Sequence, residues 1–129
     1  MQITGIKKTI LLSLLLLASG AACAEWLKFS ETASYNFYIN PDTIRMDGKL
    51  IKVWLLNDYK NRSETGGLSS RVKIEIDCSG ERIRTLTLSE HSEHMAGGEL
   101  TFTGKKENDW RDVAPDTVNE KALKLVCAK

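Results

Sequence analysis

Apolar and polar residues alternate along much of the chain, and this pattern predicts short strands with one buried face. The clearest case is a hairpin in which residues 72–78 and 81–88 flank a turn at Ser79-Gly80. A two-residue turn fixes the register, that is, which residues of the two strands lie opposite each other. Leu88 then falls on the face of the hairpin that carries the charged residues. That register pairs Ile76 with Ile83, Ile74 with Thr85, Val72 with Thr87, Asp77 with Arg82 and Glu75 with Arg84. Apolar pairs on one face and opposite charges on the other support the same hairpin.

A second hairpin is predicted around Asp47-Gly48, because this dipeptide favours the type I′ turn. In the predicted register Met46 lies opposite Lys49 and Ile44 opposite Ile51. Residues 53–56 are apolar without alternation, which is typical of a central strand covered on both faces. Further strands are predicted at 26–29, 35–39 and 99–103, and residues 108–112 are interpreted as a loop.

The period changes to that of a helix after Pro115. Thr117 and Glu120 form a capping-box pattern. The helical stripe that follows consists of Val118, Ala122, Leu125 and Val126. The fold class is therefore α+β: an antiparallel β-sheet of about six strands with a C-terminal α-helix packed on it.

Residues 1–24 resemble a secretory signal peptide. Lys7 and Lys8 precede an apolar run at 10–17 and then small residues, and the run is shorter than the about 20 residues that span a bilayer. We predict a signal peptide at 1–24 and one domain at 25–129.

The sequence offers two alternative cleavage sites for the signal peptide. Ala22-Cys23-Ala24 fits ordinary signal peptidase and leaves Glu25 first. Cleavage before Cys23 would make a lipoprotein, although Gly20 stands where a larger aliphatic residue is usual. We expect the protein in the periplasm, or at the outer membrane or cell surface of a Gram-negative bacterium, with membrane attachment only if Cys23 is lipidated.

Cys78 and Cys127 are the cysteines of the predicted domain. In an exported protein such a pair predicts a disulfide, which would join the helix to the hairpin that carries Cys78. The alternative, a zinc or catalytic thiol site, lacks partner residues because the chain has no C-x-x-C motif.

Charge and motifs exclude several function classes. The full chain has a formal net charge of +1, and loss of Lys7 and Lys8 brings it to about −1, which provides no general attraction to nucleic acid. The chain contains no G-x-S-x-G, H-E-x-x-H or phosphate-loop motif. We predict no enzymatic activity and no cofactor.

His91 and His94 are the only histidines. Their spacing places them on one face only in a helix, and no third strong ligand is evident, so they are weak candidates for a metal site. Among the aromatic residues, Trp54 and Phe37 are predicted in the core, and Trp110 at its edge.

Several segments together resemble the surface-adhesin protein E-like family. They are Tyr38-Ile39-Asn40-Pro41-Asp42-Thr43-Ile44-Arg45, Gly48, Val53-Trp54-Leu55, Glu75-Ile76-Asp77-Cys78, Met95, Gly97-Gly98, Trp110, Pro115 and Cys127. The resemblance covers residues 26–127. It implies an antiparallel sheet with a C-terminal helix held by a disulfide.

The resemblance also implies a function. It suggests a Gram-negative envelope protein of an adhesin family whose partners are host extracellular-matrix or plasma proteins and whose members can dimerise. Arg82 and Arg84 are the nearest analogue of a ligand-binding basic cluster. The hypothesis is a protein-binding, adhesin-like module. The alternative is a soluble periplasmic accessory or structural protein, and a metal-binding or enzymatic role would depend on His91 and His94.

Overall fold

The computed structural model describes residues 25–104 and 109–128. The predicted signal peptide, including Cys23, lies outside these residues. The strands are β1 (Leu27–Glu31), β2 (Tyr35–Asp47), β3 (Leu50–Tyr59), β4 (Ser69–Asp77), β5 (Arg82–His91), β6 (Leu100–Gly104) and β7 (Arg111–Asp112), and the helix α1 is Val118–Cys127. A short 3₁₀ turn, His94–Ala96, precedes β6.

Six strands form a continuous antiparallel sheet in the order β1-β2-β3-β4-β5-β6. The two-residue β7 pairs with β5, with Arg82 opposite Asp112 and Ile83 opposite Arg111. The predicted loop at 108–112 therefore ends in a strand, although residues 105–108 lie outside the described part. The α+β class with one C-terminal helix is confirmed.

The β4–β5 hairpin follows the predicted register near its turn. Asp77 pairs with Arg82, Ile76 with Ile83, Glu75 with Arg84 and Ile74 with Thr85. Further along, a β-bulge shifts the pairing, so that Val72 lies opposite Leu88 and the predicted Val72–Thr87 pair is wrong. Because a bulge adds one residue to one strand, it turns Leu88 from the charged face to the face where it packs against the core.

The β2–β3 hairpin differs from its predicted register by two residues. Met46 pairs with Ile51 rather than Lys49, and the turn residues are Gly48 and Lys49. Gly48 has φ +63°, a conformation that glycine adopts without steric cost. A shift of two residues preserves the alternation of faces, so Ile44 still packs against the core as predicted.

The predicted strand at 35–39 and the first strand of the predicted Asp47-Gly48 hairpin are one strand, β2, which is irregular between Asn40 and Arg45. The Thr43 hydroxyl bridges this irregularity. It donates to the carbonyl oxygen of Asn40 (2.7 Å) and accepts from the backbone N–H of Trp54 (3.0 Å). The backbone donor of the neighbouring strand therefore keeps an acceptor where the ladder is broken.

The core lies between α1 and one face of the sheet, called here the helix face. Its central side chains are Ile39, Ile51, Val53, Leu55, Val72, Ile74, Ile76, Ile83, Ala122, Leu123 and Val126. Burial of large aliphatic side chains is worth about 1.5–3 kcal/mol each. Leu123, not the predicted Leu125, faces the core, and Leu125 is exposed.

Helix α1 begins at the predicted cap. The backbone N–H of Glu120 donates to the hydroxyl of Thr117 (3.2 Å), and the Glu120 carboxylate accepts from the backbone N–H of Asp116 (3.3 Å). At the other end of the helix, Cys127 forms a disulfide with Cys78, 49 residues away in sequence. The predicted disulfide and its position between helix and hairpin are confirmed.

No helix in residues 25–104 and 109–128 has the length and apolarity needed to span a bilayer.

Candidate functional site

The sheet surface opposite the helix, called here the open face, carries rows of charged side chains. Strand pairing sets Arg45 beside Lys52, Lys52 beside Glu75, and Glu75 beside Arg84. At one end the 3₁₀ turn lies over this face, because the backbone N–H of Met95 donates to Asp58 Oδ1 (2.8 Å). The middle of the open face has no covering element among the described residues.

Trp54 lies on the open face and not in the core, which corrects the sequence prediction. It is half-buried, and its neighbours on the helix face, Val53 and Leu55, are buried. The guanidinium carbon of Arg71 lies 5.1 Å from the centre of the Trp54 ring, and Lys73 Nζ lies 5.9 Å from it. Both distances are within the range of cation–π attraction.

A second tryptophan, Trp110, also lies beside two cationic side chains. Arg84 Cζ lies 4.7 Å, and Arg82 Cζ 5.3 Å, from the ring centre of Trp110. Trp110 precedes β7, whose pairing with β5 brings the ring over these two arginines. The predicted position at the core edge is therefore wrong. Phe37, in contrast, is half-buried on the helix side and contacts the rings of Phe29 and Tyr35.

Arg82 and Arg84, the candidate ligand-binding residues, both form ion pairs on the open face. Arg84 donates to Oε1 of the buried Glu75 through Nε (2.9 Å) and Nη2 (2.6 Å). Arg82 donates to Asp77 (2.8 Å). This hydrogen bond, together with the backbone N–H of Gly80, lowers the pKa of Asp77. The pairs orient both guanidinium groups beneath Trp110, since a charged pair of this kind restricts side-chain rotation.

A buried carboxylate organises the loop between β3 and β4. Glu90 is only 7% exposed and accepts hydrogen bonds from the hydroxyls of Tyr59 (3.4 Å), Ser63 (3.1 Å), Thr65 (2.5 Å) and Thr101 (2.8 Å). Burial alone would raise the pKa of Glu90, but the four hydrogen bonds outweigh it and the pKa is lowered. The carboxylate thus holds the loop against the end of the sheet.

The two histidines have different environments. His91 is buried, and its Nε2 lies 3.0 Å from the Ser89 hydroxyl, whereas His94 is exposed, with Nδ1 3.2 Å from Asp58. Burial, and to a lesser extent the charge of Arg71, lowers the pKa of His91. Within the described part of the chain, no group of three or more His, Cys, Asp or Glu side chains could hold a metal ion.

The Ser89–His91 contact is the arrangement that most resembles a catalytic pair. A working serine nucleophile needs a base that a third group orients. The side-chain hydrogen bonds between described residues include no carboxylate that contacts the His91 ring. The contact is therefore better explained as a polar contact at the end of β5 between the buried His91 and the half-buried Ser89.

The comparisons with known proteins agree with this architecture. The family model described as surface-adhesin protein E matches residues 26–128. The chain belongs to the surface-adhesin protein E family.

Solved structures of Haemophilus influenzae protein E share the fold of this family member. The selenomethionine form aligns with a TM-score of 0.67 at 14% identity and covers 84% of this chain and 89% of the other. A second structure aligns with a TM-score of 0.62 at 16% identity, over 80% and 93% of the two chains. The crystal form II structure aligns with a TM-score of 0.60 at 17% identity and covers 83% of this chain and 97% of the other. The sequence matches no curated protein.

Sequence reasoning missed both tryptophan–cation clusters and the Glu90 cluster. Trp54 and Lys73 are neighbours only in the β3–β4 register, which has a long connection and no turn signal to define it. The approach of Trp110 depends on β7, which has two residues and therefore no periodicity. For Glu90, the only signal was a carboxylate next to a strand end, with hydroxyl residues at 63, 65 and 101.

Proposed function

We propose that this protein is an adhesin-like binding module of the bacterial envelope that binds a protein partner through its open face. The observation that supports this most strongly is the pair of tryptophans, Trp54 and Trp110, each with two cationic side chains within 6 Å of its ring centre. Tryptophan and arginine dominate the binding energy of many protein interfaces. Family membership favours a partner outside the cell, and host matrix or plasma proteins are the class we propose.

The proposed role is non-catalytic and requires no cofactor. The two tryptophans of the open face are stacked with cations, and Arg82 and Arg84 are ion-paired, an arrangement suited to contact rather than to proton transfer. Residues 1–24 act as the signal peptide in this proposal, and 25–129 as the binding domain. A homodimer is compatible with binding through the open face, since two open faces would double the contact with an immobilised partner.

The test is binding of the purified domain to a panel of immobilised extracellular-matrix and plasma proteins. Trp54→Ala and Trp110→Ala should each weaken binding by at least about tenfold if these rings are interface anchors. Tyr35→Ala is the matched control, because Tyr35 is an exposed aromatic residue on the helix side. Equal loss in all three variants, or no binding to any panel protein, would refute the proposal.

A soluble periplasmic accessory protein is the second candidate, favoured by the Ala22-Cys23-Ala24 cleavage site. The intact mass of the protein from its native envelope distinguishes the two candidates. A chain that begins at Glu25 favours the periplasmic role. A chain that begins at Cys23 with added diacylglycerol and acyl mass favours surface display. Protease accessibility on intact cells provides an independent measurement.

A further inference from the structure

A small basin lies on the open face where β2, β3 and β4 meet. Its volume is about 220 Å³. Its lining residues are Thr43, Arg45, Lys52, Trp54 and Lys73. Three cationic side chains from three strands therefore line the basin together with an indole ring and a hydroxyl.

Strand pairing explains why the cations converge. Arg45 lies directly opposite Lys52, and Trp54 directly opposite Lys73. The two rows are adjacent because Lys52 and Trp54 are two residues apart on one strand and point to the same face. Neighbouring strands are about 4.8 Å apart and the two rows about 7 Å apart, so the three cationic side chains can reach one point above the sheet.

The basin cations have few acidic partners. Among the described residues, the ion pairs include neither Arg45 nor Lys73, and Lys52 has only a 3.5 Å contact with Asp47, whose side chain is 70% exposed. Elsewhere on this face, Arg82 and Arg84 are paired with Asp77 and Glu75. Like charges in one basin repel each other, so an added anion would be attracted there.

The basin is also held in shape before any ligand binds. Arg45 Nη1 donates to the carbonyl oxygens of Asp42 (2.9 Å) and Ile44 (2.8 Å). Thr43 is fixed by its hydrogen bonds to Asn40 and Trp54. Such preorganisation reduces the entropy that is lost on binding.

We propose that the basin binds a carboxylate of the partner, the side chain of a Glu or Asp in an acidic protein segment. This inference rests on the proposed function and identifies the partner's chemistry. A long polyanion fits less well, because Glu75 lies directly beside Lys52 in the same row, and Asp47 and Asp77 lie in the next row. Glu75 is already paired with Arg84, so a single acidic side chain can approach the three cations, whereas evenly spaced charges along a polymer would be repelled by the neighbouring carboxylates.

The experiment titrates the 15N-labelled domain with a short Gly/Ser peptide that carries a Glu-Ser-Glu core. The NMR signal of the Trp54 indole N–H reports on the basin. The double variant R45Q/K73Q should weaken peptide binding by at least about tenfold. The charge-matched double variant K49Q/R111Q, whose residues are exposed outside the basin, should change it by less than about twofold. The single variant K52Q repeats the test if the double variant does not fold.

Four results would overturn the inference. They are equal weakening in the two double variants, equal binding of a matched Gln-Ser-Gln peptide, no shift of the Trp54 signal at saturation, and a heparin oligosaccharide that binds this basin more tightly than the peptide. The proposed function is judged separately. If the Trp54→Ala variant binds a panel protein more weakly than the wild type does, but R45Q/K73Q binds it as tightly as the wild type, the proposed function stands and the carboxylate site is wrong. If no panel protein binds, the peptide titration still tests the basin.

Discussion

Replacement of both Cys78 and Cys127 by serine should cost a large part of the stability of this domain. The two residues are 49 positions apart, and the chain-entropy model gives roughly 4 kcal/mol for a loop of this length at 25 °C. This figure is an upper value, because residual structure in the reduced denatured chain lowers it. Since a domain of this size has a total stability of about 5–15 kcal/mol, the variant should remain folded but be much less stable.

The native contacts of the helix determine where the loss appears. Ala122, Leu123 and Val126 are buried against the sheet, so without the disulfide α1 should stay docked but open more often than the strands. Amide hydrogen exchange should therefore accelerate most in 118–127.

Urea denaturation followed by far-UV circular dichroism measures the magnitude. With a slope of about 1–2 kcal/mol/M for a small domain, the midpoint should fall by about 2–4 M. The reduced wild-type protein is the control and should match the double variant. An unchanged midpoint, or faster exchange confined to the strands, would show that the disulfide does not stabilise the native helix packing.

Three further predictions concern polar side chains that form hydrogen bonds within the fold. Glu90→Gln should lower the free energy of unfolding by about 1–3 kcal/mol in urea denaturation at pH 7. Since the pKa of Glu90 is lowered, its contribution is present above pH about 4.5 and is lost as the pH falls, so the variant and the wild type should converge in acid. The pKa of His91 is also lowered, so the neutral side chain stabilises the fold above pH about 6.5, and this contribution is lost as the pH falls below that value. The urea midpoint of His91→Asn should therefore decline less between pH 7.5 and pH 5 than that of the wild type. His94→Asn, at an exposed histidine, is the control. Thr43→Val removes the acceptor of the backbone N–H of Trp54 and should lower the free energy of unfolding by about 1–2 kcal/mol, measured by thermal unfolding. An unchanged melting temperature would show that another acceptor replaces the hydroxyl.

The sequence predicted those parts of the fold in which two signals agree. The β4–β5 turn was predicted correctly because apolar pairs and charge pairs selected the same register as the turn. The β2–β3 turn had only the Asp47-Gly48 dipeptide, and the true register differs by two residues. Apolar alternation could not detect this error, since a shift of two residues leaves every side chain on the same face.

The open face was not predictable in the same way. Trp54 lies in an apolar segment, and hydrophobicity alone assigns it to the core. Its position on the open face follows from the register, which pairs it with Lys73 on a strand more than ten residues away in sequence. His91 is the opposite case: the residues around it in sequence are polar, but it is buried where β5 pairs with β6. Long-range pairing determined both results, and local periodicity does not encode it.

The outer strands of the sheet have a consequence for self-association. β1 and β6 have five residues each, and each is paired through a register shift. On β5, the outer edge pairs with β7 at one end and with β6 at the other, and among the described residues, 84–87 form a short gap between these two paired segments. Short, interrupted and twisted edges are poor templates for adding another strand. This protein should therefore resist fibril growth at high concentration in the envelope, even when its neighbours are copies of itself.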